Sequence, residues 1–200
     1  MVNVYVVVIA IFAVLLVVLL TKLKAARGYS AHSHTFTLKT KHRHHFIPIT
    51  DKVKEVIAES GIQEGSVTIV SQHTTASIWV NEDEKNLIGP NNLLGYKSDL
   101  SRVLDEFAPP GVDLYGHNDI RDQNNPQGKR DTHLCEPDSC GVINECINGH
   151  SHAQAMLLKT SVTMIVEKYS LVIGRWQVIM LVELDHDRDR TFTVLVQGVK

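Results

Sequence analysis

The chain opens on an apolar block, VYVVVIAIFAVLLVVLL, running from Val4 to Leu20 without a charge. As a helix it would reach about 25 Å, the short limit for crossing a bilayer. Only Met1, Val2 and Asn3 precede it, and the basic residues Lys22, Lys24 and Arg27 follow. That asymmetry favours an uncleaved anchor over a removed signal peptide, with the rest of the chain on the cytoplasmic side. The expectation is a single-pass membrane protein: residues 1–21 as anchor, 22–34 as linker and 35–200 as one domain.

Within the domain the periodicity changes repeatedly. SHTFTLKTKHRHHFIPIT alternates apolar and polar residues and predicts one or two strands around a basic turn at Lys41 to His44. DKVKEVIAES has helical spacing, with Thr50 as N-cap and Gly61 as stop. SVTIVSQHTTASIWV predicts one long strand, with His73, Thr75 and Ser77 on a polar face and Thr74, Ala76, Ile78 and Val80 toward the core. Ser98 is placed to cap a helix over DLSRVLDEF, which Pro109 and Pro110 end. Residues 111–149 lack periodicity. LVIGRWQVIMLVELD and RTFTVLVQGV then predict two strands joined near His186 to Asp189. Six or seven strands with two helices, and no βαβ alternation, make an α+β fold with a mainly antiparallel sheet.

Composition narrows the function classes. Of 200 residues 44% are apolar and 21% charged, which is globular, and the net charge of -2 argues against a nucleic-acid partner. The three cysteines, Cys135, Cys140 and Cys146, are an odd set for a disulfide framework and too loosely spaced for a zinc site, so they read as free thiols. The eleven histidines are the unusual feature. His42, His44 and His45 fall at a turn and read as solvated. His73, Thr75 and Ser77 form either a solvated sheet face or a face that offers donors to an anion or a nitrogen to a metal.

HTTAS with Asn81 and Glu82, HND at His117 to Asp119, NGHSHAQA, LVIGRWQ, ELD and the terminal VQG occur in an order that resembles the YjbQ-like family. Its members are commonly described as secondary thiamine-phosphate synthases. The resemblance implies a homotrimer of α+β domains and a pocket at His73, Glu82, His117 and His152, with Asn81, Asp99, Asp119 and His150 nearby. The implied activity joins a pyrimidine diphosphate to a thiazole phosphate and releases pyrophosphate. Three neutral imidazoles, His73, His117 and His152, are a common ligand set for Zn²⁺, so a divalent metal, Zn²⁺ or Mg²⁺, is one expectation. Protonated histidines holding the phosphate of a small phosphorylated molecule are the other. Glu82 is the candidate general base. Thr75, Ser77, Asn81, Arg175 and Arg190 are candidate substrate contacts, because hydroxyl, amide and guanidinium groups match phosphate. Each arginine is equally readable as a solvated strand-end charge, Glu183 as an arginine's structural partner, and Trp176 as packing. Beside the transferase stand a non-catalytic metal- or anion-binding module at a membrane and a metal-dependent phosphoester hydrolase.

Overall fold

The computed structural model describes residues 11–20, 28–89, 97–111, 114–121, 127, 130–131 and 147–200. The expectations for Cys135, Cys140 and Cys146 lie outside the described residues, as do residues 1–10 and 21–27.

Ten residues of the apolar block, 11–20, form a helix (α1) exposed at every position. No helix among the described residues is long and apolar enough to cross a membrane. The expected anchor, the membrane partner and the single-pass, cytoplasm-facing placement are corrected accordingly.

The domain is α+β. A five-stranded sheet runs in the order β1 (Tyr29–Lys39), β10 (Asp189–Val199), β3 (Glu64–Ser71), β7 (Ser161–Glu167), β8 (Ser170–Leu171). A three-stranded sheet has β9 (Gln177–Glu183) between β2 (His45–Pro48) and β4 (Ala76–Glu82). Every pair in both sheets is antiparallel. The one parallel pair described joins two short segments, β5 (Ile120–Arg121) and β6 (Arg130–Asp131).

Two apolar cores explain the layers. Helix α2 (Thr50–Ser60) buries Val53, Val56 and Ile57 with Val67 and Ile69 of β3, Ala76 and Ile78 of β4, Ile179 and Leu181 of β9, and Phe192, Val194 and Val196 of β10. On the other face of the three-stranded sheet, Met180 and Val182 pack with Phe46, Leu104 and Ala155. Leu104 comes from α4 (Asp99–Phe107) and Ala155 from α5 (Gly149–Leu158). Strand β9 is therefore covered on both faces, which is why its sequence is nearly continuous in apolar residues rather than alternating. Each such side chain stabilises the fold by about 1.5–3 kcal/mol through burial.

Gly61 ends α2 with φ 63, and Ser98 accepts the Ser101 N–H at the start of α4, both as the sequence predicts. Thr50 does not cap α2; its hydroxyl accepts the Ile179 N–H at 2.8 Å and ties the helix to β9. A four-residue helix, α3 (Lys85–Ile88), follows β4 and is capped by Glu84.

Two strand expectations are corrected. The predicted long strand is broken at Gln72 to Thr75, where the chain passes from the five-stranded to the three-stranded sheet. The break resets the alternation: Val67, Ile69 and Ser71 point inward in β3, and Val70 is exposed. The histidine turn is not solvated at His44, which is 3% exposed in a left-handed conformation, φ 57.

Candidate functional site

The corner between β3 and β4 is polar because buried groups there need partners. Arg190 and Glu183, both fully buried, form a two-pronged ion pair, with Nε and Nη2 donating to the two carboxylate oxygens at 2.5 Å each. Arg190 Nη2 also donates to Thr75 Oγ1 at 3.0 Å. The Thr40 hydroxyl donates to Glu183 Oε2 at 3.0 Å, and the Asp185 N–H to Oε1 at 2.9 Å. His73 accepts the Thr191 N–H on Nε2 at 2.8 Å and so fastens the corner to β10. Burial holds the His73 imidazole below its ordinary value, Arg190 and Arg188 add to this, and Glu183 opposes it. Arg190, expected as a substrate contact or a solvated strand-end charge, is the buried partner of Glu183, the role that the sequence offered for Glu183 beside an arginine.

From Glu183 the network continues toward the surface. Asp185, buried, accepts from Arg188 Nη2 at 2.8 Å and from Asn148 Nδ2 at 2.9 Å. Burial pushes the Asp185 carboxyl above the usual range, against Asn148, Arg188 and His186. Asn148 precedes α5 and does not cap it; its Oδ1 lies 3.1 Å from His117 Nε2. His117 sits on a single 3-10 turn, Gly116–Asn118, and its ring meets that of His152, on the first turns of α5, at 4.5 Å in a T-shaped arrangement.

That meeting depends on two small features. Asn118 Oδ1 accepts the Gly149 N–H at 2.9 Å, and Asn118 Nδ2 donates to Gly111 O at 2.8 Å, so the turn is pinned to the helix. Gly149 allows the approach: a Cβ there would lie 2.4 Å from Tyr115 Cβ and 3.1 Å from Asn118 Oδ1.

The sequence-predicted residues thus fall at two ends of the three-stranded sheet. His73, Thr75, His117, His152 and Arg190 belong to the end where Ala76 pairs with Glu183. Asn81 and Glu82 lie at the other end, where Glu82 pairs with Gln177, about 20 Å along the strands. Asn81 Oδ1 accepts the Glu82 N–H at 2.9 Å. Arg175 is also at that end, stacked 4.8 Å over the Trp176 ring. Trp176 is 64% exposed rather than packed, because it belongs to the turn before β9. Ser77 is fully buried with its hydroxyl unpartnered, and Asp99 pairs with Arg102 on the exposed side of α4.

No group of three or more His, Cys, Asp or Glu among the described residues could hold a metal ion. His117 and His152 touch, whereas the His73 Nε2 lone pair is engaged by a backbone N–H. Within one chain the described residues thus do not gather His73, His117 and His152 into a three-ligand set.

A second polar cluster supports α5 from below. Arg43 and Lys97 both donate to Asp105, Lys97 at 2.7 Å. Burial pushes the Asp105 carboxyl up, but these hydrogen bonds and the Arg43 charge outweigh it and hold it at about 2. Gln154 donates to the carbonyls of Leu104 and Ala108, each at 3.0 Å, so its Oε1 accepts from His44 Nε2–H at 2.9 Å. Burial, then Arg43, lower His44 to about 4, and the same two causes lower His150 to about 4. His150 is buried with Nδ1 unpartnered.

Asn118, Asn148, Gly149, Gln154 and Asp185 lie inside the motifs HND, NGHSHAQA and ELD, but the sequence assigned none of them a role. NG before a helix reads as a turn, and a lone buried amide leaves no periodic trace. The repeated Asp and Arg of LDHDRDR was the available signal.

The chain matches the family model "UPF0047 protein YjbQ-like" over residues 34–199. It is 30% identical to a UPF0047 protein of Methanothermobacter thermautotrophicus, covering 84% of this chain and 92% of that protein. It is 28% identical to the UPF0047 protein YugU of Bacillus subtilis, covering 82% and 98%. Among solved structures it resembles a YbjQ-like protein of unknown function from Sulfolobus solfataricus, with TM-score 0.61, 26% identity, and 85% and 99% of the two chains covered. A hypothetical protein from Aeropyrum pernix gives TM-score 0.60 at 26% identity, with 83% and 98% covered. These descriptions name no transferase and no metal, so the expectation of a transferase finds no support among them. With its model matched from the start of β1's outer half to the end of β10, the chain belongs to the UPF0047, YjbQ-like family.

Proposed function

We propose that the chain binds a small phosphorylated molecule at the His117–His152 pair. The observation that supports this reading is the pairing of two imidazoles at 4.5 Å at the outer end of a polar network whose carboxylates are already engaged. Glu183 is paired with Arg190 and Asp185 with Arg188, so the carboxylates of this network are matched by guanidinium groups and do not repel an anion held at the two imidazoles. Such groups donate to phosphate oxygens, and a binding module needs no more than that. The candidate general base Glu82 lies at the far end of the sheet in the same chain, which favours the module over the coupling reaction.

Titration calorimetry with inorganic phosphate and pyrophosphate tests the reading. Binding by the wild type, weakened about tenfold in His117→Ala or His152→Ala, is the expected result, since each variant loses a hydrogen bond to a charged group. An absence of heat with phosphate, pyrophosphate and both thiamine precursors overturns it. The same samples, supplied with the pyrimidine diphosphate and thiazole phosphate, report on the finer expectation: thiamine phosphate formed above background and abolished in His117→Ala would replace the module with the transferase.

A further inference from the structure

Asn148 and Gly149 form the one Asn–Gly pair in the chain. In such a pair the glycine nitrogen can attack the asparagine side-chain carbonyl, because a residue without Cβ leaves the approach open. The new N–Cγ bond closes a five-membered succinimide. The Cγ–Nδ2 bond breaks, and ammonia leaves with the proton of the glycine amide. One water then opens the ring at either carbonyl and gives aspartate or isoaspartate. The balance needs water and nothing else.

The fold opposes each part of that step. The Gly149 N–H, whose nitrogen would attack, donates to Asn118 Oδ1 at 2.9 Å. Asn148 Nδ2, the leaving group, donates to Asp185 Oδ2 at 2.9 Å, and Asn148 Oδ1 lies 3.1 Å from His117 Nε2. The Asn148 backbone, φ -131 and ψ 25, turns the Gly149 nitrogen to the far side of the Cα–C bond from Cβ, whereas ring closure needs the two eclipsed. Both Asn118 and Asn148 are buried, which keeps water from the carbonyls. Asn118 is itself held, since its Nδ2 donates to Gly111 O at 2.8 Å.

We propose that Asn148 is a latent modification site, converted to aspartate and isoaspartate when the 3-10 turn at Gly116–Asn118 releases the start of α5, and that Asn118 is the residue that keeps it closed. Opening the turn frees the Gly149 nitrogen and lets ψ rotate. The change is one-way. A carboxylate at position 148 would meet Asp185 Oδ2 where an amide N–H now stands, and two buried carboxylates in contact repel. Isoaspartate also lengthens the backbone at the first turn of α5. Either product hinders the turn from reseating. The inference concerns the chain without a ligand and does not depend on what the imidazole pair binds.

The test incubates the full chain at mildly alkaline pH, in buffer and in guanidinium chloride, and follows residue 148 by peptide mass spectrometry. The mass gained when an amide becomes a carboxyl, with ¹⁸O taken up from labelled water, gives the rate. Both aspartate and isoaspartate should form. The folded chain should convert at least about tenfold more slowly than the denatured one, because conversion waits on a local opening that breaks several hydrogen bonds. A folded Asn118→Ala should convert about fivefold faster than the wild type, for the loss of one hydrogen bond on the attacking nitrogen. Thr50→Val removes the acceptor of the Ile179 N–H, far from α5, and should leave the rate unchanged. Equal rates in the folded and denatured wild type overturn the proposal, and that comparison needs no variant to fold. A product free of isoaspartate also overturns it. So does a folded Asn118→Ala that converts at the wild-type rate, or a Thr50→Val that converts as fast as Asn118→Ala.

Discussion

Glu183 shows what a single residue does in this molecule. Its carboxylate accepts from two nitrogens of Arg190, from Thr40 and from the Asp185 backbone, at zero exposure. Removing one partner of a buried ion pair leaves an uncompensated charge, at a cost of about 3–5 kcal/mol. Glu183→Ala and Arg190→Ala should each lower stability by that amount in urea unfolding. A joint replacement by well-packed apolar residues should cost much less, because no buried charge then remains. A loss below about 1 kcal/mol in either single variant would mean that the pair is solvated. The sequence offered Glu183 as an arginine's partner without saying which arginine, and its place in β9, opposite both His45 and Ala76, sets it beside Arg190. His73 was legible as special, yet its partner, a backbone N–H of β10, is 118 positions away and no local pattern encodes it.

Helix α5 is the element on which the site is built, and its two sides predict different failures. On the outer side, Gly149→Ala puts a methyl group 2.4 Å from Tyr115 Cβ, too close for the turn bearing His117 to remain seated. The fold should survive with a modest loss of roughly 1–3 kcal/mol, the usual range for overpacking. Anion affinity should fall as far as in His117→Ala. Unchanged affinity by calorimetry would disconnect the turn from the site. On the inner side, His44 and His150 are held near 4 against an ordinary 6.5. Because the folded values lie below the unfolded one, the unfolded chain binds more protons across that interval. Stability is therefore lost as pH falls from about 6.5 to 4 and levels off below, by on the order of 3 kcal/mol for the buried His44. Asp105 works in a lower window: held at about 2, it stabilises above its ordinary 3.8 and loses that contribution as pH falls toward 2. Urea unfolding from pH 7 to 4 should show the loss, and His44→Leu should flatten it by up to one proton. An equally steep curve in that variant would show that His44 titrates normally.

At the scale of the whole molecule, the α+β class, the antiparallel pairing and α2 and α4 followed from periodicity and end signals. The division into two sheets did not. β3 and β4 read as one strand because a period-two alternation can be carried through Gln72 to Thr75, and the change of sheet is marked only by that polar run, whose partners are remote. The opening block reads as a membrane span on hydropathy, yet no helix among the described residues is long and apolar enough to cross a bilayer. Its described part, α1, is exposed at every position, whereas the domain's own tie at this end is the Lys200 N–H to Gly28 O at 2.9 Å, beside the β1–β10 ladder. A chain beginning at Gly28 keeps that tie and all eleven register pairs from Tyr29–Val199 to Lys39–Asp189. It should unfold in urea with the same midpoint and slope as the full chain, because the described residues it lacks, 11–20, are exposed and belong to neither core. A midpoint lower by the equivalent of about 1 kcal/mol, the size of an ordinary single-contact loss, would show that the apolar block covers part of the domain and helps to hold it.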